Sequence, residues 1–231
     1  MATFPGLKLR HAYPCALFLS PAAPSPLRVL QAWEDGDHVL VGTKCNQLLR
    51  LDTLTGRSRA IPLPPAPPRA RETFDHEWGH CGIHSIALSP ARRLVATGGD
   101  NPADAVVLDR ATWRPVATLV GHLDWVFGLA WLSDAHLVTA SRDASVGLWT
   151  LPEEAVLGDG AGQDEADAAA DREEEARAGG DYGRHGDFRK SFGGKVRGVE
   201  YDAATRTLAT LSLEGAVRLH DPGDNLRLIR R

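Results

Sequence analysis

The chain has 231 residues, with 26 Lys+Arg against 30 Asp+Glu and a formal net charge of −4. That length can bury a sizeable core, and the near balance of charge does not favour nucleic acid as a partner. Its 23 Gly, 15 Pro and 6 Trp fit an all-β chain with many turns.

Residues 1–26 are Pro-rich and without clear periodicity, so a loosely structured N-terminus is expected. The apolar run at 16–19 is too short for a signal peptide and is bracketed by Pro14 and Pro21. No stretch approaches the about 18 apolar residues that a membrane span needs. The cysteines Cys15, Cys45 and Cys81 suggest neither a disulfide framework nor a CxxC pair, and read as reduced thiols of an intracellular protein.

One frame then recurs four times: HVLVGTKCNQLLRLD (38–52), RLVATGGDNPADAVVLD (93–109), HLVTASRDASVGLWT (136–150) and TLATLSLEGAVRLHD (207–221). Each is an apolar strand, a polar turn, a second apolar strand and a closing dipeptide. A period of roughly 40–45 residues is that of a β-propeller blade of the WD40 type. The expected fold is all-β, a partial WD40-type propeller over 27–222 with about four degenerate blades. Propellers close with roughly 4–8 blades. With one long break in the period, an incomplete ring from a truncated chain is expected.

The first blade is expected over 27–63, followed by a Pro-rich loop at 62–68 and a polar stretch to His76. The second, over 79–120, has strands predicted at Ile83–Ser89, Leu94–Gly98, Ala105–Asp109 and Pro115–Leu119. The third, over 121–152, has strands at Trp125–Trp131, His136–Ala140 and Ser145–Thr150, with its fourth strand displaced or lost. Residues 153–190 break the period and carry ten Asp or Glu between Glu153 and Glu175. A charge run of low hydrophobicity cannot bury enough surface to fold, so an acidic disordered insertion is expected there. The fourth blade resumes at 195–222 and leaves a C-terminal tail at 223–231.

The third blade is the best preserved. Gly121-His122 precedes its inner strand, and Ser141, Asp143 and Trp149 follow at WD40 spacing. These four side chains are expected to form a buried structural network, with Asp143 holding His122 and the Trp149 indole donating toward Ser141. Such a network must be fully satisfied, which fixes one register. His122, Asp143 and Ser141 are also the residue types of a hydrolase triad, but no nucleophile-elbow sequence surrounds the serine. No catalytic residues are therefore assigned. His76, His80, Cys81 and His84 are metal-ligand types, yet His80 and His84 fall on repeat positions and no second ligand pair appears. Neither a metal nor a cofactor is expected.

For His122 to meet Asp143, the loop before the inner strand and the turn between the second and third strands must share one face. The residue just before the turn Asp is then displayed beside the central channel; across the frames it is Lys44, Gly99, Arg142 and Leu213. Alignment of the inner strands makes His84, Phe127 and Arg197 equivalent. Lys44, Arg142 and Arg197 are thus expected on one rim with little local acid. Gathered cations in a concave mouth attract anions, and arginine forks suit carboxylates. Three cations are too few for a nucleic-acid track.

Seven short segments recur in order: ValGlyThrLysCysAsn (41–46), CysGlyIleHis (81–84), AlaThrGlyGlyAspAsnPro (96–102), AspTrpValPhe (124–127), SerArgAsp (141–143), GlyLeuTrp (147–149) and LysValArg (195–197). With them, residues 28–221 resemble the DDB- and cullin-4-associated factor twelve family, WD40 substrate receptors of a cullin-RING ubiquitin ligase. The resemblance implies a non-catalytic receptor that binds a DDB-type adaptor of the cullin-4 ligase core and substrates with acidic C-termini. Lys44, Arg142 and Arg197 would bind that degron, and a cytoplasmic and nuclear location would follow. LeuAspArg at 108–110 has its Arg one place early for the WD-x-Arg adaptor signature. A generic WD40 scaffold for protein assembly, without degron binding, stands as the alternative.

Overall fold

The structure is a computed structural model that describes residues 27–32, 38–44, 46–65, 82–99, 103–157, 186–190 and 193–230. Among these residues the apolar frames pair into four four-stranded antiparallel sheets. The first holds β1 (Leu27–Ala32), β2 (His38–Thr43), β3 (Leu48–Asp52) and β4 (Ser58–Ile61). The second holds β5 (Ile86–Leu88), β6 (Leu94–Gly98), β7 (Ala105–Asp109) and β8 (Pro115–Leu119). The third holds β9 (Val126–Trp131), β10 (His136–Ser141), β11 (Ser145–Thr150) and β12 (Gly186–Lys190). The fourth holds β13 (Val196–Asp202), β14 (Thr207–Ser212), β15 (Val217–Asp221) and β16 (Arg227–Arg230).

The inner strands β1, β5, β9 and β13 neighbour one another in chain order. The sheets form an open arc of propeller blades rather than a closed ring.

Period-two alternation explains how the sheets stack. Successive side chains on a strand face opposite ways. Leu137 and Trp149 therefore join a cluster with Leu94, Val107 and Leu119 of the second sheet. Val138, Ala140 and Val146 join one with Val196, Val199 and Leu208 of the fourth. Leu40, Leu48 and Ile61 pack likewise on Ile86, Val95 and Leu108. A sheet covered on both faces reads as a continuous apolar run, which is why β9 is buried throughout. The fourth sheet ends the arc, and Leu211, Val217, Leu228 and Ile229 remain exposed on it.

β5, Ile86–Leu88, is shorter than the predicted Ile83–Ser89, β9 starts and β10 ends one residue later than predicted, and three larger boundaries differ as well. The fourth strand of the third blade is displaced, one of the two expected alternatives, and lies beyond the acidic run as β12, paired with β11 from Ser145↔Lys190 to Trp149↔Gly186. Residues 186–190 thus complete a sheet instead of belonging to the acidic insertion. The start of that insertion, Glu153–Leu157, is a short helix, α1, whose Ala155 is buried and whose Val156 packs on the core between the second and third sheets. The tail at 223–231 contains β16, which supplies the outer strand that β15 would otherwise lack. Neither strand repeats the apolar frame, because an outer strand covers little core. The N-terminal region 1–26 and the insertion residues 158–185 lie outside the described residues.

Candidate functional site

Sheet register aligns the rim. Val126 pairs with Ser141 and Gly128 with Ala140, so Phe127 is an extra residue bulged out of β9. In β13, Val196 pairs with Ser212 and Gly198 with Leu211, so Arg197 is the matching bulge. A bulge leaves its residue out of the ladder and re-aims its side chain, and bulges cluster beside sites. His84 holds the same place two residues before Ile86. In β1, Leu27 pairs with Thr43 and Val29 with Gly42, which puts Arg28 at the fourth such position. Arg28 escaped the sequence reading, although ArgValLeuGlnAla at 28–32 aligns with ArgGlyValGluTyr at 197–201 and could have revealed it.

The bulge residues and their neighbours build an aromatic cluster with cations on it. The His84 and Phe127 rings meet edge-on at 4.8 Å, Trp125 stacks toward His84 at 6.2 Å, and Trp125 and Phe127 meet edge-on at 6.3 Å. The Arg142 guanidinium lies 4.7 Å from the Trp125 centroid and that of Arg197 lies 4.2 Å from the Phe127 centroid. Each guanidinium is attracted to the face of the ring beneath it, and an arginine fork suits a carboxylate. Two arginines from two sheets thus rest on one shared support.

Lys44 belongs to the same end of the arc. It is exposed in the β2–β3 turn. Gly82 lies against its backbone, and the Ile83 N–H donates to the Thr43 carbonyl at 3.0 Å. Trp125 and Lys195 are equivalent, since Arg142 N–H donates to the Trp125 carbonyl as Leu213 N–H donates to that of Lys195, and Gly82, two residues before His84, holds the same place in the second sheet. Lys195 is therefore another rim cation that the sequence reading passed over.

Among the described residues little acid lies beside the rim cations, as expected, but one carboxylate does approach them. Asp124 Oδ2 lies 3.5 Å from Arg142 Nε. Among the described residues no carboxylate pairs with Lys44 or Arg197. The turn frame also needs one correction. Gly98 pairs with Ala105 as Ala140 pairs with Val146, so Gly99 matches Ser141, not Arg142. The second turn is a residue longer: Gly99 N–H donates to the Asp104 carbonyl, whereas Thr43 N–H donates to that of Gln47.

Beneath the rim, the polar network of the third sheet differs from the expected one: Thr139 takes the place of Ser141, and Ser145 joins it. Trp149 Nε1 donates to Thr139 Oγ1 at 2.8 Å, not to Ser141. Thr139 lies one diagonal step from Trp149, which pairs with Leu137; Ser141 is a further two residues away. The Thr139 hydroxyl, having accepted from the indole, donates to His122 Nε2 at 2.6 Å, and His122 Nδ1–H then donates to Asp143 Oδ2 at 3.1 Å. Ser145 Oγ–H donates to Asp143 Oδ1, whose partner oxygen also accepts Leu123 N–H at 2.9 Å. Burial alone would raise the Asp143 carboxyl, but the hydrogen bonds from His122, Ser145 and Leu123 outweigh it and hold it well below the usual carboxylate range. Ser141 Oγ–H instead donates to the Asp124 carbonyl and accepts from Asp143 N–H. Ser141 and His122 therefore form no nucleophile–base pair.

The other sheets keep remnants of this relay. Thr97 occupies the Thr139 position, but Leu108 replaces the tryptophan, and Thr97 Oγ1 is buried without a hydrogen-bond partner. In the fourth sheet His220 takes the tryptophan's place; it accepts from Thr210 at 3.0 Å and donates to the Leu226 carbonyl at 3.1 Å. Buried Arg218 there binds Ser212 and Glu214. His76, His80 and Cys81 lie outside the described residues, and His84 is a member of the aromatic cluster. Among the described residues no group of three or more metal-ligand types gathers, and no helix is long and apolar enough to cross a membrane.

Among solved structures, the RRP9 WD40 repeats superpose with a TM-score of 0.60 at 16% identity, covering 90% of this chain and 52% of that one. U3-55K gives 0.59 at 17%, with the same coverage. The chain thus spans about half the length of these propellers. Among curated proteins, protein transport protein SEC13 of Candida albicans is 42% identical over 72 residues, 29% of this chain and 24% of the relative. Pre-mRNA-processing factor 19 homolog 2 of Arabidopsis thaliana is 36% identical over 78 residues, 33% of this chain and 15% of that protein. The family profile described as the DDB1- and CUL4-associated factor 12 beta propeller matches residues 28–231. With four WD40-type sheets and a family match across most of its length, the chain belongs to the DDB1- and CUL4-associated factor 12 β-propeller family.

Proposed function

We propose that the chain is the substrate-recognition subunit of a cullin-4-type E3 ubiquitin-protein ligase, and that it binds acidic C-terminal degrons at the rim formed by Lys44, Arg142 and Arg197. A DDB-type adaptor links it to the ligase core, in the cytoplasm and the nucleus, and the ligase ubiquitinates the captured protein. The receptor itself is non-catalytic.

One observation carries this reading: Arg142 and Arg197 stack on the adjoining Trp125 and Phe127 rings. The two rings hold both guanidinium groups in place before a ligand arrives, which lowers the ordering cost of binding. A peptide ending in two glutamates offers three carboxylates within a short span. Each can accept a bidentate or charge-assisted hydrogen bond from a rim cation. Lys195, placed at the same end by its backbone hydrogen bond to Leu213, adds to the positive field.

The test is fluorescence anisotropy of a labelled peptide ending in Glu-Glu against the full chain. Arg142→Glu or Arg197→Glu abolishes binding, and amidation of the peptide terminus weakens it. Equal binding of neutral-ended peptides would instead favour a scaffold. Co-purification with the adaptor tests the ligase half of the reading.

A further inference from the structure

We propose that Leu123 and Leu213 form an apolar shoulder beside the cationic rim, so that the chain selects acidic-ended peptides carrying an apolar side chain just upstream of the acidic end. This rests on the rim being a carboxylate site and names the ligand class further.

Leu123 and Leu213 are 60% and 61% exposed. Each is fixed beside one rim arginine by a backbone hydrogen bond. Leu123 N–H donates to Oδ2 of Asp143, the residue after Arg142, at 2.9 Å. Leu213 N–H donates to the carbonyl of Lys195, two residues before Arg197, at 2.9 Å. Leu213 also holds the turn position that carries Lys44 in the first sheet and Arg142 in the third. The fourth sheet therefore presents a leucine where its counterparts present cations. The remaining exposed apolar residues of this sheet, Leu211, Val217, Leu228 and Ile229, lie on the strands β14–β16 and not on the rim turns.

The chemistry follows from the direction a bound terminus must take. Carboxylates anchored on the arginine edges leave the preceding residues to run out across the rim. An extended chain advances about 3.3 Å per residue, so the two or three residues before the acidic pair pass over the neighbouring loops. An apolar side chain there removes its own surface and that of a leucine from water, whereas a polar one gains nothing and loses hydration.

The test uses the full chain and two labelled peptides that both end in Glu-Glu and differ only in the three preceding residues, Leu-rich in one and Ser-rich in the other. Each is paired with a Gln-Gln-ended control. In anisotropy titrations the Leu-rich peptide binds about tenfold tighter, the gain from half-burying a leucine-sized side chain. Leu123→Ser combined with Leu213→Ser equalises the two while the preference for Glu-Glu over Gln-Gln persists, and the melting temperature is unchanged because both leucines are exposed. Equal affinities in the unsubstituted chain, or a Leu preference that survives the double substitution, overturn the shoulder alone. Loss of the Glu-Glu preference in the unsubstituted chain overturns the rim reading and the shoulder with it.

Discussion

The Arg197 guanidinium carbon lies 4.2 Å from the centroid of the Phe127 ring, so a cation of the fourth sheet rests on an aromatic of the third. Phe127 is itself a bulge residue and is buried, which leaves it little freedom to follow a moving partner. The Arg197 orientation therefore depends on the neighbouring blade. Phe127→Leu removes the ring face while keeping an apolar group of similar size. It should cost less than about 1.5 kcal/mol of stability. It should weaken binding of a Glu-Glu-ended peptide about three- to tenfold, by loss of a partly buried cation–π contact. Unchanged affinity would show that the ring does not position Arg197.

Two buried threonines at equivalent positions should respond oppositely to one substitution. Thr139 satisfies both His122 Nε2 and Trp149 Nε1, so Thr139→Val strands two buried groups and costs about 2–5 kcal/mol. Thr97 has no hydrogen-bond partner, so Thr97→Val is near-isosteric and stabilises by about 1 kcal/mol. Urea unfolding of both variants measures the pair. Equal destabilisation would mean that the relay does not distinguish the two sheets.

Acid should weaken the third sheet through Asp143, whose folded-state carboxyl is held below its ordinary value by the His122, Ser145 and Leu123 hydrogen bonds despite its burial. A depressed carboxyl stabilises the fold fully above the unfolded value of about 4 and loses that contribution as pH falls toward the folded value. Asp143→Asn should therefore be less stable than the unsubstituted chain at pH 7, and the gap should narrow below about pH 4. Unfolding free energies from pH 7 to pH 2.5 read this directly, and a constant gap would rule out the linkage.

Gly82 joins the first two sheets at the rim. Its φ is +83°, and a Cβ there would meet the Lys44 Cα at 2.6 Å and the Thr43 carbonyl oxygen at 2.8 Å, all backbone. Gly82→Ala should cost about 2–4 kcal/mol from the left-handed backbone and the overpacking together. It should also weaken acidic-peptide binding, because Lys44 and His84 flank the clash. A stable variant with normal affinity would mean that the junction yields more easily than its backbone contacts imply.

Much of the fold was legible because blades are local. Strands β7, β8 and β11 begin and end where the frame puts them, since apolar runs and turn residues act within a few positions. The equivalence of Phe127 and Arg197 was legible for the same reason. The outer strands β12 and β16 were not, because they carry no repeat and are defined only by the strand they pair with. Gly99 was misplaced by one position because turn length shows only in hydrogen bonding.

Sequence alone determined the repeat, and with it the four sheets and the end of each sheet on which Lys44 and Arg142 stand. Tertiary structure decided the rest. Thr139 rather than Ser141 accepts the indole hydrogen bond because diagonal reach across a ladder is a spatial quantity. Asp124 approaches Arg142 because loop closure brings them together. Arg28 joins Arg197 at the bulges because register counts residues across strands and not along the chain.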